Sequence, residues 1–235
     1  MFIEELKKQA GLMGIDLNAE QAQLMEKHWH MVMETNSKFN LTAITDSKEA
    51  LIKHYLDSLL ILPQIAAGSR CLDVGSGAGF PGVPAAIMQP ASSWILLDSL
   101  QKRCGFLWQV KKELGLSNVE VLCSRAEVAA YQDNLREKFD VVVARAVSPL
   151  PSLLECSLPF VAGGGYFLAM KGPSVEEEIA ASQQALSLLG GRIDDLKQLM
   201  LPDKEELRSL VVVKKISDCP GKYPRRAGKP QKHPL

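Results

Sequence analysis

Residues 70–82 carry the densest chemical signal in the chain: Arg-Cys-Leu-Asp-Val-Gly-Ser-Gly-Ala-Gly-Phe-Pro-Gly. Asp73 stands at the mouth of a turn that holds Gly75, Gly77, Gly79 and Gly82. Glycine at this density lets a backbone take positive φ and approach a bound molecule closely. The dinucleotide fingerprint G-x-G-x-x-G, which serves a pyrophosphate, needs its third glycine where this chain has Phe80. Asp98, at the tip of a second predicted strand, is placed to accept both ribose hydroxyls of an adenosine. It is equally placed to cap the helix that Ser99 and Gln101 open. Ala126 and Glu127 follow a third strand, where the edge of an adenine could lie. Arg145 ends a fourth strand, and a lone arginine there needs a partner. A ligand carboxylate or the acid of a neighbouring loop would serve.

The elements that must position these groups are legible as an alternation. Arg70–Val74, 91–97, Val119–Leu122, Phe139–Ala144 and Tyr166–Met170 read as buried strands, the fourth β-branched and continuous as a parallel strand should be. A helix with core spacing runs from Gln101 to Leu114, and a glycine turn at 163–165 leads into the fifth strand. Ser174 with Glu177 reads as a capping box for a helix to Leu189. Residues 193–201 and 207–216 read as two late strands. The pattern predicts one α/β sheet of about seven strands, mostly parallel. Ahead of it, residues 1–62 read as helical, with Asn18 and Gln21 as a cap, Asp46 and Glu49 as another, and a stop at Pro63. His54 and Asp57 share a face of that last helix. Three parts follow: a helical extension (1–62), a ligand-binding domain (63–218) and a basic tail (219–235).

Composition narrows the class. The chain has 235 residues and 46% apolar content, enough for a full core. No apolar run approaches a membrane span, and the acidic N-terminus is unlike a signal peptide. The five cysteines form no C-x-x-C pair, so neither zinc nor disulfides are expected, and the cytoplasm is the expected compartment. His28, His30 and His54 lack ligand spacing, so no metal is expected. Net charge is zero but uneven, because Lys222, Arg225, Arg226, Lys229 and Lys232 follow the last acid, Asp218. A basic end on a neutral protein suits a polyanion.

The acid-first turn, Asp73-x-Gly-x-Gly-x-Gly79, resembles the first motif of the S-adenosylmethionine-dependent methyltransferases. Their cofactor carries a sulfonium, an ammonium and a carboxylate, and no phosphate. The likeness extends over nearly the whole chain. Asn40-Leu-Thr42, Lys53-His-Tyr-Leu-Asp-Ser58, Leu72 to Gly82, Leu97-Asp-Ser99 with Lys102-Arg103, Ala144-Arg-Ala146, Met170-Lys-Gly172 and Tyr223-Pro-Arg-Arg-Ala-Gly-Lys-Pro230 resemble, in order, the ribosomal small-subunit methyltransferase G family. The resemblance implies a Rossmann-like class I methyltransferase fold. It implies methyl transfer from S-adenosylmethionine to N7 of one guanine in 16S ribosomal RNA, naked or within the small ribosomal subunit. It implies cofactor contacts at Gly75, Phe80, Ala126, Glu127 and Arg145, which Asp73, Gly77, Gly79 and Asp98 join from the turn and strand reading.

Guanine N7 has a lone pair and no proton, so no catalytic base is required, and positioning in a dry site is the work. The N7/O6 edge is the one that arginine or lysine reads in a duplex. With N7 left free for the methyl, recognition is expected from phosphate contacts and RNA shape. Lys171, Arg225, Arg226, Lys229 and Lys232 are the candidate bases. On this reading the protein acts as a monomer, and loss of residues 221–235 spares the cofactor. Two other readings stay open. An NAD-type oxidoreductase would use the same fold, against the departure at Phe80. A non-catalytic RNA-binding protein would keep the tail and need no cofactor.

Overall fold

The predicted strands pair into a single seven-stranded sheet in the order β3-β2-β1-β4-β5-β7-β6. This computed structural model describes residues 2–145, 148–202 and 207–235. Met1 of the helical extension and Ala146 of the Ala144-Arg-Ala146 stretch lie outside the described residues. Strands β1 (Arg70–Val74), β2 (Ser93–Asp98), β3 (Val119–Cys123), β4 (Phe139–Arg145) and β5 (Val161–Lys171) run parallel. β7 (Leu207–Lys215) lies antiparallel between β5 and β6 (Gly191–Met200). Strand order reverses between β1 and β4, so the crevice of a doubly wound sheet opens at their carboxyl ends. Val74, Asp98, Cys123, Arg145 and Lys171 therefore reach one edge.

Three helical pieces build the N-terminal extension. α1 (Phe2–Leu12) is followed by α2 (Ala19–Asn36), whose cap is the predicted reciprocal pair. Gln21 N–H donates to Asn18 Oδ1 at 2.9 Å, and Asn18 N–H to Gln21 Oε1 at 3.0 Å. The third piece starts at α3 (Ser47–Ala50), widens into a π-helical turn at Leu51–Leu56 and closes as α4 (Asp57–Leu59). Pro63 sits in a separate 3₁₀ turn, Leu62–Gln64, so the helix ends earlier than its proline suggests. These pieces pack with α5 (Gly82–Met88) and α6 (Gln101–Leu114) on one face of the sheet. Met25, Trp29, Tyr55 and Leu59 join Trp94, Phe106 and Val143 in one continuous core.

The other face is covered by α7 (Ala126–Ala129), α8 (Leu150–Ser157), α9 (Glu176–Ala181) and α10 (Gln183–Leu189). The chain end, with α11 (Lys229–Lys232), packs there too. The tail is folded. Arg136 donates to the carbonyls of Cys219 at 2.8 Å and Tyr223 at 3.0 Å, and Tyr131 Oη to that of Pro224 at 2.6 Å. Arg225 Nε donates to Glu155 Oε1 at 2.8 Å, and that carboxylate is fully buried.

Two local expectations are corrected. The glycine triplet at 163–165 lies within β5, where the register against β4 shifts between Phe139 and Val141. Gly164 has φ +81, and the extra residues bulge out of the ladder. Ser174 forms no cap, since α9 begins after Val175 without a side-chain cap bond. Glu178, and not Glu177, turns inward, accepting Leu150 N–H at 2.6 Å and pairing with Lys171 at 2.8 Å. The helix then breaks at Ser182, whose hydroxyl donates to the Glu178 carbonyl.

Gly82 is required by close packing. A Cβ there would overlap Leu96 Cδ2 and stand 2.7 Å from Asp73 Oδ2. Gly82→Ala should cost about 1–3 kcal/mol, read as a lowered melting temperature. Gly172→Ala, where a Cβ meets nothing within 4 Å, should leave it unchanged. Equal melting for both variants would contradict the packing role.

Candidate active site

Two carboxylates hold the glycine turn. Gly75 N–H donates to the Leu97 carbonyl at 2.8 Å, which ties the turn to the end of β2. Asp98 Oδ2 accepts Gly77 N–H at 2.9 Å, and its Oδ1 accepts Leu100 N–H at 2.9 Å. Asp98 thus holds the turn ahead of α6, whose N-cap Leu100 makes no side-chain cap bond, and also lines the cleft. Asp73 Oδ2 accepts Gly82 N–H at 3.0 Å while Oδ1 is buried without a partner. Burial pushes this carboxyl up to about 7, against the pull of the Gly82 amide. Gly75, Gly77 and Gly79 have φ of +78, +58 and +94, where a side chain is disfavoured.

A cleft of about 380 Å³ opens beyond this turn. Gly75, Asp98, Ala126, Glu127 and Arg145 all line it. Asp73, Gly77, Gly79 and Phe80 do not; they shape the turn from behind. The Phe80 ring lies in an aromatic cluster with the helical extension, stacked on His54 at 4.5 Å and edge-on to Tyr55 at 5.1 Å. Leu100, at the lip of the cleft, is 52% exposed, an apolar face for a flat ring. Asp98 offers an acceptor beside it. The cleft walls therefore suit an adenosine.

Sequence reasoning missed part of this wall. Leu153 and Cys156 come from α8, and Gln231 from the chain end. Only the three-dimensional return of the tail brings Gln231 here, held by Gly228 N–H donating to Glu127 Oε1 at 2.8 Å. The tail, expected from the sequence to be dispensable for the cofactor, thus supplies one residue of this wall. Burial pushes the Cys156 thiol well up, so it is a wall and no nucleophile.

Arg145 is shared with a second cleft of about 310 Å³, lined also by Lys53, His54, Asp57, Met170, Lys171 and Arg208. Its Nη1 donates to Asp57 Oδ2 at 3.0 Å and to the Lys53 carbonyl at 3.0 Å, and its guanidinium lies 5.2 Å from the centre of the Phe80 ring. The acid that partners Arg145 is thus on a helix, with Arg208 Nε 3.2 Å from its other oxygen. Arg145 Nη2 stands 3.3 Å from His54 Nδ1. A guanidinium only donates, so Nδ1 accepts and Nε2–H faces Thr42 Oγ1 at 2.9 Å. His54 and Asp57 both meet Arg145 and not one another. Burial, helped by the Arg145 charge, pushes His54 down to about 3. His28 is likewise pushed down to about 4 by burial, with Nε2–H on the Ala78 carbonyl and Nδ1 accepting from Tyr55.

The bases divide in two. Lys171 is occupied by the Ser148 carbonyl at 2.6 Å and by Glu178, and Arg225 by Glu155. Arg226, Lys229 and Lys232 are exposed, as are Lys102 and Arg125 on the cleft's side of the sheet. Among the described residues no cluster of three or more His, Cys, Asp or Glu could hold a metal, and no helix is long and apolar enough to cross a membrane.

The fold and cleft together are those of the Rossmann-like S-adenosylmethionine-dependent methyltransferases. A SAM-dependent methyltransferase from Aquifex aeolicus superposes with a TM-score of 0.53 at 19% identity, covering 72% of this chain and 93% of that one. The family model described as rRNA small subunit methyltransferase G matches residues 21–207. A ribosomal RNA small subunit methyltransferase G from Lactobacillus johnsonii is 44% identical over 100% of this chain and 98% of its own. One from a Thermoanaerobacter species is 45% identical over 99% and 98%. The chain belongs to this family, and it is a methyltransferase that uses S-adenosylmethionine.

Two predictions separate structural from functional charge. Asp73 in the fold holds a proton that the unfolded chain has released between pH 3.8 and about 7. Its contribution to stability therefore falls as pH rises through that window. His28 and His54 are neutral in the fold where the unfolded chain is protonated, so theirs grows as pH rises toward 6.5. Asp73→Asn removes the opposing contribution. Urea titrations from pH 5 to 7 should show stability rising more steeply with pH than in the parent, and an unchanged slope would contradict the buried acid. Arg225→Ala strands the buried Glu155 and should cost about 3–5 kcal/mol, part of it restored by adding Glu155→Gln. Unaltered stability would leave Arg225 free for RNA instead.

Proposed function

We propose that the protein transfers the methyl group of S-adenosylmethionine to N7 of a guanine in 16S ribosomal RNA, acting as a monomer in the cytoplasm. The observation that carries this reading is that two clefts on one sheet edge meet at a single side chain, Arg145. The first would hold the cofactor, with Asp98 toward its ribose, Ala126 and Glu127 toward its base, and Gly75 along its backbone path. When bound, the cofactor supplies an electrophilic methyl. The second cleft admits the target base.

The junction suits an acceptor with no proton to lose. His54 is a poor base with its pKa pushed down to about 3, and Asp57 is committed to two arginines. N7 of guanine needs neither. Arg145 and Asp57 pair, so the positive charge that moves to the base meets no isolated like charge. Walls fixed by the sheet edge orient the reactants, which is what such a transfer requires. Arg226, Lys229, Lys232, Lys102 and Arg125 stand exposed around the cleft side, suited to phosphates and to RNA shape.

Small subunits from a strain lacking the gene should accept one labelled methyl from S-adenosylmethionine. The labelled position should show the reductive strand cleavage of N7-methylguanine. Arg145→Ala should lower transfer about 100-fold or more through lost positioning. Label on an exocyclic amine, or RNA binding without label, would contradict the proposal, the second outcome favouring a non-catalytic RNA-binding protein. Family membership weighs against the oxidoreductase reading.

A further inference from the structure

We infer that the carboxyl-terminal segment completes the cofactor cleft and that Gln231 selects adenine within it, an inference that rests on the cofactor placement proposed above. Gln231 lies in α11 and lines the same cleft as Ala126, Glu127, Leu153 and Cys156. Its neighbours there include Cys156, which it contacts, and Glu127, which holds the Gly228 amide. The segment that carries it is pinned at three points. Arg225 pairs with the buried Glu155. Gly228 N–H donates to Glu127 at 2.8 Å, and Ser152 Oγ donates to the Pro230 carbonyl at 2.8 Å. All three anchors precede Gln231, and Arg225 Nη2 donating to the His233 carbonyl at 2.8 Å holds the chain beyond it, so the backbone of Gln231 is fixed from both sides.

The side chain is oriented as well. Gln231 Nε2 is directed to Cys156 Sγ at 3.8 Å, and among the described residues this is its amide's one partner. Gln231 is otherwise exposed, and with its nitrogen toward the wall its carbonyl oxygen stands open to a donor in the cleft. Adenine carries an amino donor at C6, where hypoxanthine and guanine carry a carbonyl. A fixed acceptor attracts the first and repels the second. A site built to pair with a polar group rejects the analogue that lacks it more strongly than an apolar pocket could.

Glu127 ties the two halves of the inference together. The carboxylate that borders the base end of the cleft is the one that seats the tail. Ligand and tail therefore share a support, and each favours the other's bound position.

Calorimetric titration of the full-length protein with S-adenosylhomocysteine and with S-inosylhomocysteine tests this without turnover. The two ligands differ only at the C6 substituent and its adjoining ring proton. The parent should prefer the adenosyl ligand about tenfold, as one oriented hydrogen bond allows. Gln231→Ala should bring the two affinities within about twofold, and Gln231→Glu, which can still accept, should keep the preference. Asp98→Asn should weaken both ligands alike. Retention of the parental preference by Gln231→Ala would overturn the role of Gln231 and leave the cofactor cleft standing. Failure of the parent to bind either ligand would overturn the cofactor placement itself, and this inference with it.

Discussion

Arg145 ends β4 with its side chain only 13% exposed, and the sheet edge is arranged to meet the cost of burying that charge. Asp57 supplies the opposite charge, the Lys53 and His54 carbonyls supply acceptors, and Phe80 supplies a ring face. All four groups come from outside the strand that carries the arginine. The Lys53 and His54 carbonyls that reach Arg145 belong to the π-helical turn at Leu51–Leu56. Without Asp57 the guanidinium would be left uncompensated in a desolvated place, a loss of several kcal/mol. The helical extension is therefore part of the site's construction. Its core runs without a seam into the sheet face.

The glycine turn obeys the same logic with opposite sign. Its positive-φ backbone is held by amide donors reaching two carboxylates, Asp73 behind and Asp98 beside the cleft. Asp73 is buried and strained toward protonation, whereas Asp98 faces the cleft and remains available to a ligand. The turn's own acid thus fixes its backbone, while the acid ending β2 presents an acceptor to the cleft. Phe80 adds a third, locking the turn to His54 and Tyr55. Its ring serves the structure and does not line the cleft.

Most of the sheet was legible in the residues, because buried parallel strands are short apolar runs and each ended in a chemically marked residue. Arg70–Val74 and Gln101–Leu114 fall where periodicity puts them. The Asn18 cap formed because both partners are local and exposed. The Ser174 cap failed because a tertiary partner, Lys171 with Leu150 N–H, claimed Glu178 and set the helix by it. Five of the nine expected cofactor residues share one cleft wall; the other four shape the turn that supports it. Gln231 and Cys156 were invisible as site residues, since nothing local marks a tail that returns across the sheet. Arg225 looked like a free base because its partner Glu155 lies far along the chain, and Lys171 because Glu178 is on a separate helix with no periodic relation to it.

The central claim is that one cleft holds the sulfonium nucleoside with its base at the tail and its amino-acid end toward Arg145, leaving the second cleft for the guanine. A crystal structure of the protein soaked with S-adenosylhomocysteine tests it most directly. The ligand should lie between Asp98 and Glu127, base beside Gln231, sulfur nearest Arg145, with the Lys53–Arg208 cleft still open. A ligand bound in the reverse sense, or seated in that second cleft, would contradict the account.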